Sequence, residues 1–250
     1  MEGAKNKLTG LILLLILPVL FATAQKKDLA YYQCAFMDSY KAGNMAPWPA
    51  LIAEMEKAKS PDLLWQTEMV KAMYGLVGYQ IGSRKKDQAK VYVEKADGYL
   101  EKLLKANPRD ARLHSLAGAF YGYKISFAFY KAPFLGPKSM GHIDKALELN
   151  PREPMGYIEK GNSLFYRPAA FGGDKTEALV MYRKALQLME KGNHSKCNWQ
   201  QMLLRAFILK ALYETNQQAA AEAFLSAMKK DYGSMEWIKA FVGADLMEGK

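Results

Sequence analysis

Two stretches of this chain end in the same way. Leu103-Leu104-Lys105-Ala106-Asn107-Pro108 and Ala146-Leu147-Glu148-Leu149-Asn150-Pro151 each read as the last turn of a helix shut off by proline. Upstream of them stand two triples, Ala96/Leu100/Leu103 and Ser139/Ile143/Ala146, and two more follow, Ala178/Tyr182/Ala185 and Ala220/Phe224/Ala227. Each triple has the spacing i, i+4, i+7, which puts its members on one helical face. The small outer members let a partner helix approach, and the middle residue fills the gap in most of them. Two-helix units recurring at roughly 34 residues are the mark of helical repeat arrays. The expectation is therefore a stack of helical hairpins, not a single-core enzyme domain.

The first helix of each unit is legible from apolar residues at three- and four-residue steps. These segments run over 63–81, 111–130, 155–166 and 199–214, with Gly75, Gly78, Ala117, Gly118 and Gly161 suited to close crossings. Gly82 and Asn216 read as helix stops. An irregular hairpin over 25–59 precedes the array, with one helix over 28–42 and another opened by Pro47-Trp48-Pro49. Four units over 60–232 follow, and a closing helix over 233–250 places Trp237, Phe241 and Leu246 against the last hairpin.

At this level the chain resembles the tetratricopeptide-repeat family over roughly 60–232. The best segments are His142-Ile143-Asp144-Lys145-Ala146-Leu147-Glu148-Leu149-Asn150-Pro151 and Glu177-Ala178-Leu179-Val180-Met181-Tyr182-Arg183-Lys184-Ala185-Leu186. In the third unit Tyr157 takes the family's tryptophan position, and Gly161 and Leu164 take its glycine and tyrosine positions. The chain is also similar to exported repeat proteins of Gram-negative bacteria. The resemblance implies an all-α, right-handed solenoid of tetratricopeptide-like hairpins acting as a protein-binding adaptor with no cofactor.

The N-terminus points to export. Lys5 and Lys7 precede an almost wholly apolar run from Leu8 to Phe21, and Ala22-Thr23-Ala24 is a small-x-small site before Gln25. The run is shorter than the ~20 residues a spanning helix needs. Cleavage after Ala24 and a periplasmic location are expected, with residues 1–24 the signal peptide. The full chain carries a net charge of +10; loss of Lys5, Lys7 and Glu2 leaves 33 basic and 24 acidic residues, or +9. That charge is scattered, as at Lys85-Lys86 and Lys229-Lys230, and in an exported protein it speaks for solvated helix faces and peripheral envelope association, not nucleic acid. The two cysteines, Cys34 and Cys197, fall in the first and last units. A disulfide needs Cα atoms within about 7 Å, and solenoid contacts run between neighbours. Two buried free thiols are the expectation.

Pro108 and Pro151 are 43 residues apart, about nine more than the ~34-residue repeat. The extra residues fall between the two helices, over 131–138, and a shorter insert occupies the same place in the third unit, over 167–173. Insertions of this kind map to one face of an array, where loops on a rigid scaffold carry binding residues. The candidate partner-binding residues are Tyr130, Lys131, Phe134, Lys138, Asn162, Tyr166, Arg167 and Phe171. They read as an apolar groove with basic edges, or as aromatics packing the inserts onto the scaffold. The concave face lined by the first helices is the other place for a partner.

Catalytic and metal chemistry finds little footing. His114, His142 and His194 have no His-x3-His or Cys-x2-Cys spacing. Ser83-x-x-Lys86 and Ser226-x-x-Lys229 lie in lysine-rich stretches without supporting motifs, and there is no Gly-x-Ser-x-Gly elbow. The carboxylates fall on helix faces read as exposed. Phe171-Gly172-Gly173-Asp174-Lys175-Thr176-Glu177 lacks the spacing of a phosphate loop; Asp174 as N-cap with Glu177 closing a capping box explains it. Gly172-Gly173-Asp174 is also similar to a turn in the T components of tripartite periplasmic transporters. The expectation is a non-enzymatic adaptor for a protein or peptide, without metal or cofactor, and the alternative is a small-molecule-binding accessory of an envelope transporter.

Overall fold

The computed structural model describes residues 27–192 and 197–247, and every regular element among them is helical. The signal segment expected over 1–24 lies outside the described residues. The order is α1 (Leu29–Lys41), α2 (Trp48–Lys57), α3 (Leu63–Gly82), α4 (Lys86–Ala106), α5 (Ala111–Phe127), α6 (Ala132–Leu149), α7 (Pro154–Tyr166), α8 (Lys175–Lys191), α9 (Trp199–Glu214), α10 (Gln218–Tyr232), α11 (Trp237–Val242) and α12 (Ala244–Met247). Short connections make partners of α3 and α4, α5 and α6, α7 and α8, and α9 and α10. Successive pairs also touch: α3 and α4 meet α5, α5 and α6 meet α7, and α8 meets α9.

The repeated Asn-Pro-Arg sequence works as a punctuation mark. Asn107 and Asn150 are extended at φ −132° and −147°, the region a residue before proline prefers. Two residues past each proline, Asp110 accepts the amides of Arg112 and Leu113, and Glu153 accepts that of Met155. One helix is thus ended and the next capped within four residues.

Burial follows the triples. Ala96/Leu100/Leu103, Ser139/Ile143/Ala146 and Ala178/Tyr182/Ala185 are all buried. Gly161 shows why the small positions matter: a Cβ there would lie 2.5 Å from the Tyr182 ring. The fourth triple is off by one. Ala220 and Ala227 are exposed, while Ala221 and Met228 are buried with Leu225 between them. In the run Ala219-Ala220-Ala221 small size alone does not set the face; the methionine does.

Three further expectations are corrected. The first insert is not a loop between helices: after a 3-10 turn at Phe129–Lys131, residues 132–138 form the first turns of α6. Pro133 fits a first turn, and Pro137 removes one amide donor inside the helix. The closing segment is two short helices broken at Gly243, whose φ is 114°. Finally, the cysteines are not free thiols. Cys34 and Cys197 form a disulfide with their Cα atoms 4.7 Å apart.

That bond is possible because α1 docks on α9, bringing the first helical pair against the last. A strictly neighbour-to-neighbour array would keep them apart; aromatic packing draws them together. The Trp48 and Trp199 rings lie 5.1 Å apart, and Tyr40 packs on Trp199 at 5.8 Å and on Trp237 at 5.1 Å. Gly75 on α3 makes room, since a Cβ there would fall within 3 Å of both Trp48 and Trp199. The seam thus fills the space between α3 and α9 at Gly75. α9 accordingly buries side chains around its whole circumference, from Trp199 to Tyr213.

Candidate functional site: an exposed aromatic edge

The two inserts carry the most exposed large apolar side chains described. Tyr130 is 78% exposed, Phe134 75%, Phe171 70%, Phe129 59% and Tyr166 58%. Tyr130, Phe134 and Phe171 pack on no other ring among the described residues, and Tyr166 touches only the ring of Phe165, at 4.9 Å. Phe134 and Phe171 therefore make no ring-to-ring contact with the scaffold, whereas burial pushes the Tyr166 hydroxyl up to about 12. Exposed apolar side chains mark interaction sites where they form a contiguous patch.

The backbone holds these rings outward. At the first insert, the 3-10 turn and Pro133 start α6 early, so Phe134 projects from its first turn while Ser139, one and a half turns on, is buried and donates to the Gly118 carbonyl at 2.7 Å. At the second, Pro168 and the 3-10 turn Ala169–Phe171 lead into Gly172 at φ 84°. Gly173 passes so close to Arg167 that a Cβ would meet its carbonyl oxygen. Asp174 then caps α8 by accepting the amides of Thr176 and Glu177. The reciprocal half of a capping box is absent: the Asp174 amide donates to Leu164 O at 3.0 Å instead of to Glu177. The paired glycines are thus accounted for by tight chain reversal.

Arg167 ties the second insert to α6. Its guanidinium donates to Ser163 Oγ at 2.5 Å, and that hydroxyl donates to Met140 Sδ of α6 at 3.1 Å. Lys131, whose ammonium lies 5.9 Å from the Tyr130 ring, and Lys138 are exposed on the rim. Lys175 pairs with Glu214 at 2.5 Å beside the Phe165 ring. A shallow basin of about 490 Å³ opens next to the second insert, between Arg167–Thr176 and the end of α9 at Glu214–Asn216. It shares Arg167, Ala169 and Gly173 with that insert.

Asn162 belongs elsewhere. It is half-buried in a polar cluster joining α3, α7 and α8, where it donates to Glu159 Oε1 at 3.1 Å and accepts from the Tyr182 hydroxyl at 2.8 Å. Tyr74, a second acceptor for the Asn162 amide at 3.4 Å, completes it. Glu159 is 5% exposed, and burial pushes its carboxyl up to about 7. This carboxylate was expected on an exposed face. Only the packing of α7 against α3, α5 and α8 reveals it, because Ile158-Glu159-Lys160 looks like any helix surface. Phe129 was missed too; its signal is its place beside Tyr130 at the end of an apolar helix.

No protein-family model matches the chain, and no curated protein sequence matches it. The fold is similar to that of the HusA haemophore from Porphyromonas gingivalis, with a TM-score of 0.53 and 19% identity over 76% of this chain and 96% of that one. At that identity the likeness concerns the fold. Among the described residues no helix is long and apolar enough to cross a membrane.

Proposed function

We propose that this is an exported, non-catalytic binding protein of tetratricopeptide-like architecture that engages a partner protein through the aromatic edge of its two inserts. The observation that carries the reading is the exposure of Tyr130, Phe134, Tyr166 and Phe171 on backbone held rigid by prolines, caps and a glycine turn. Aromatic residues and arginine are enriched at the cores of protein interfaces, and tyrosine and arginine among their hot spots. The openness of the edge suits a protein surface or an extended peptide, and a disulfide between distant helices suits an oxidising compartment. The mechanism is shape and charge complementarity, with Lys131, Lys138 and Arg167 selecting an acidic rim.

The test is capture from solubilised envelope extract by the chain from Gln25 onward, beside a Tyr130→Ala/Phe134→Ala/Phe171→Ala variant. These side chains are exposed, so the variant keeps the parent's melting temperature. A partner held by the parent and lost by the variant supports the reading; equal capture by both defeats it.

A second reading is favoured by the likeness to the haemophore: a flat, anionic tetrapyrrole laid on the same rings, its carboxylates on the basic rim. Saturable haemin binding at 1:1, weakened by replacing Lys131, Lys138 and Arg167 with glutamine, would establish it in place of the first.

A further inference from the structure

The fold brings together two histidines that lie 28 residues apart in sequence. His114 on α5 and His142 on α6 face each other with their Nδ1 atoms 3.0 Å apart, and both rings are half-buried. The other nitrogen of His114, Nε2, lies 3.0 Å from the Pro108 carbonyl oxygen. A carbonyl only accepts, so Nε2 carries the proton and Nδ1 of His114 presents its lone pair to His142. An imidazole held by a backbone carbonyl on one nitrogen, with the other free, is how proteins orient a metal-ligating histidine. Tyr121 stacks on the His142 ring at 5.7 Å and limits its tilt.

We infer that His114 and His142 form a binding site for a borderline divalent transition cation of the copper(II) or nickel(II) type. Metal–imidazole bonds are about 2.0–2.1 Å, so two nitrogens 3.0 Å apart subtend about 90° at a shared ion. That is the angle between adjacent positions of tetragonal copper(II) or nickel(II). A tetrahedral zinc ion asks for a wider separation. Without the ion, His142 donates its Nδ1 proton to His114. In the ion-bound form that proton would sit on Nε2 of His142, leaving both Nδ1 lone pairs to the ion. Among the described residues no third histidine, cysteine or carboxylate completes a cluster. The remaining positions belong to water or to a ligand carried by the ion, so the site is an open one. This inference is independent of the aromatic edge.

The experiment is a calorimetric titration of the disulfide-intact chain from Gln25 onward with copper(II) or nickel(II) at pH 7.5. The His114→Ala, His142→Ala, His142→Gln and His194→Ala variants run alongside. The expected result is 1:1 copper(II) binding, weakened at least about tenfold by losing either ring of the pair and unchanged in His194→Ala. The bound copper should show electron paramagnetic resonance with hyperfine structure from two nitrogens. Should His142→Ala misfold, His142→Gln keeps the bulk and loses the ligand. The inference is overturned by no saturable binding to the parent, or by unchanged affinity in folded variants of His142.

Discussion

The seam and the edge of this protein are both built from aromatic side chains, and they are opposite in fate. At the seam Trp48, Trp199, Tyr40 and Trp237 interlock between α1, α2, α9 and α11, and a disulfide crosses it. At the edge Tyr130, Phe134 and Phe171 stand in solvent. The difference lies in the backbone beneath. The seam rings meet glycines, Gly75 beside Trp48 and Trp199 and Gly43 beneath Trp237, which let helices and turns close around them. Phe134 and Phe171 rise from proline-started turns, and Tyr130 from the 3-10 turn before Pro133. Aromatic side chains are buried here where a glycine stands opposite and exposed at the inserts.

The contrast can be broken most forcefully at the seam. The Cys34–Cys197 bond spans 163 residues. A loop of that length corresponds to about 5 kcal/mol in the chain-entropy treatment. Replacing both cysteines with serine should lower the unfolding free energy by about that much in a denaturant titration. A loss below about 1 kcal/mol would make the bond incidental to the closure. Trp48→Ala should cost about 3–5 kcal/mol in the same assay, because the side chain is fully buried.

Glu159 is buried away from the seam, in the polar cluster of α3, α7 and α8. Its folded pKa of about 7 is above its ordinary value of 4.5. Below the lower value both states are protonated and stability is unaffected. As pH rises from there to about 7 the unfolded chain ionises first and stability falls, by about 3 kcal/mol in all, then levels off. Glu159→Gln should abolish that slope, which melting temperatures between pH 4.5 and 8 will read. At the edge, Phe134→Ala with Phe171→Ala should change stability by no more than about 0.5 kcal/mol. A larger loss in thermal melts would show that these rings hold the inserts in place after all.

Much of this was legible beforehand. The Asn-Pro-Arg breaks, the first three triples and the first helices, with α9 at Trp199–Glu214 as expected, follow from local rules of capping and periodicity. The inserts were singled out by the same local reasoning, but residues 132–138 are the opening turns of α6 and not a loop. The seam was hidden because it depends on the ends of the chain meeting. Neighbour-to-neighbour reasoning forbids that, and Trp48 and Trp199 are 151 positions apart. Glu159 and the His114–His142 pair were hidden for a related reason: each is defined by residues on other helices, and neither carries a spacing of its own. Alanine-rich α10 misled even the local reading, its face being set by Met228.

The most direct test of the central claim is site-specific photo-crosslinking in intact cells. A photoreactive phenylalanine derivative would be placed at Phe134 or Phe171 on the edge, and at Val180, which is 54% exposed on α8, as control. The edge reading requires a discrete protein adduct from both insert positions and none from the control. Adducts of equal yield from all three, or none from the insert positions, would contradict it.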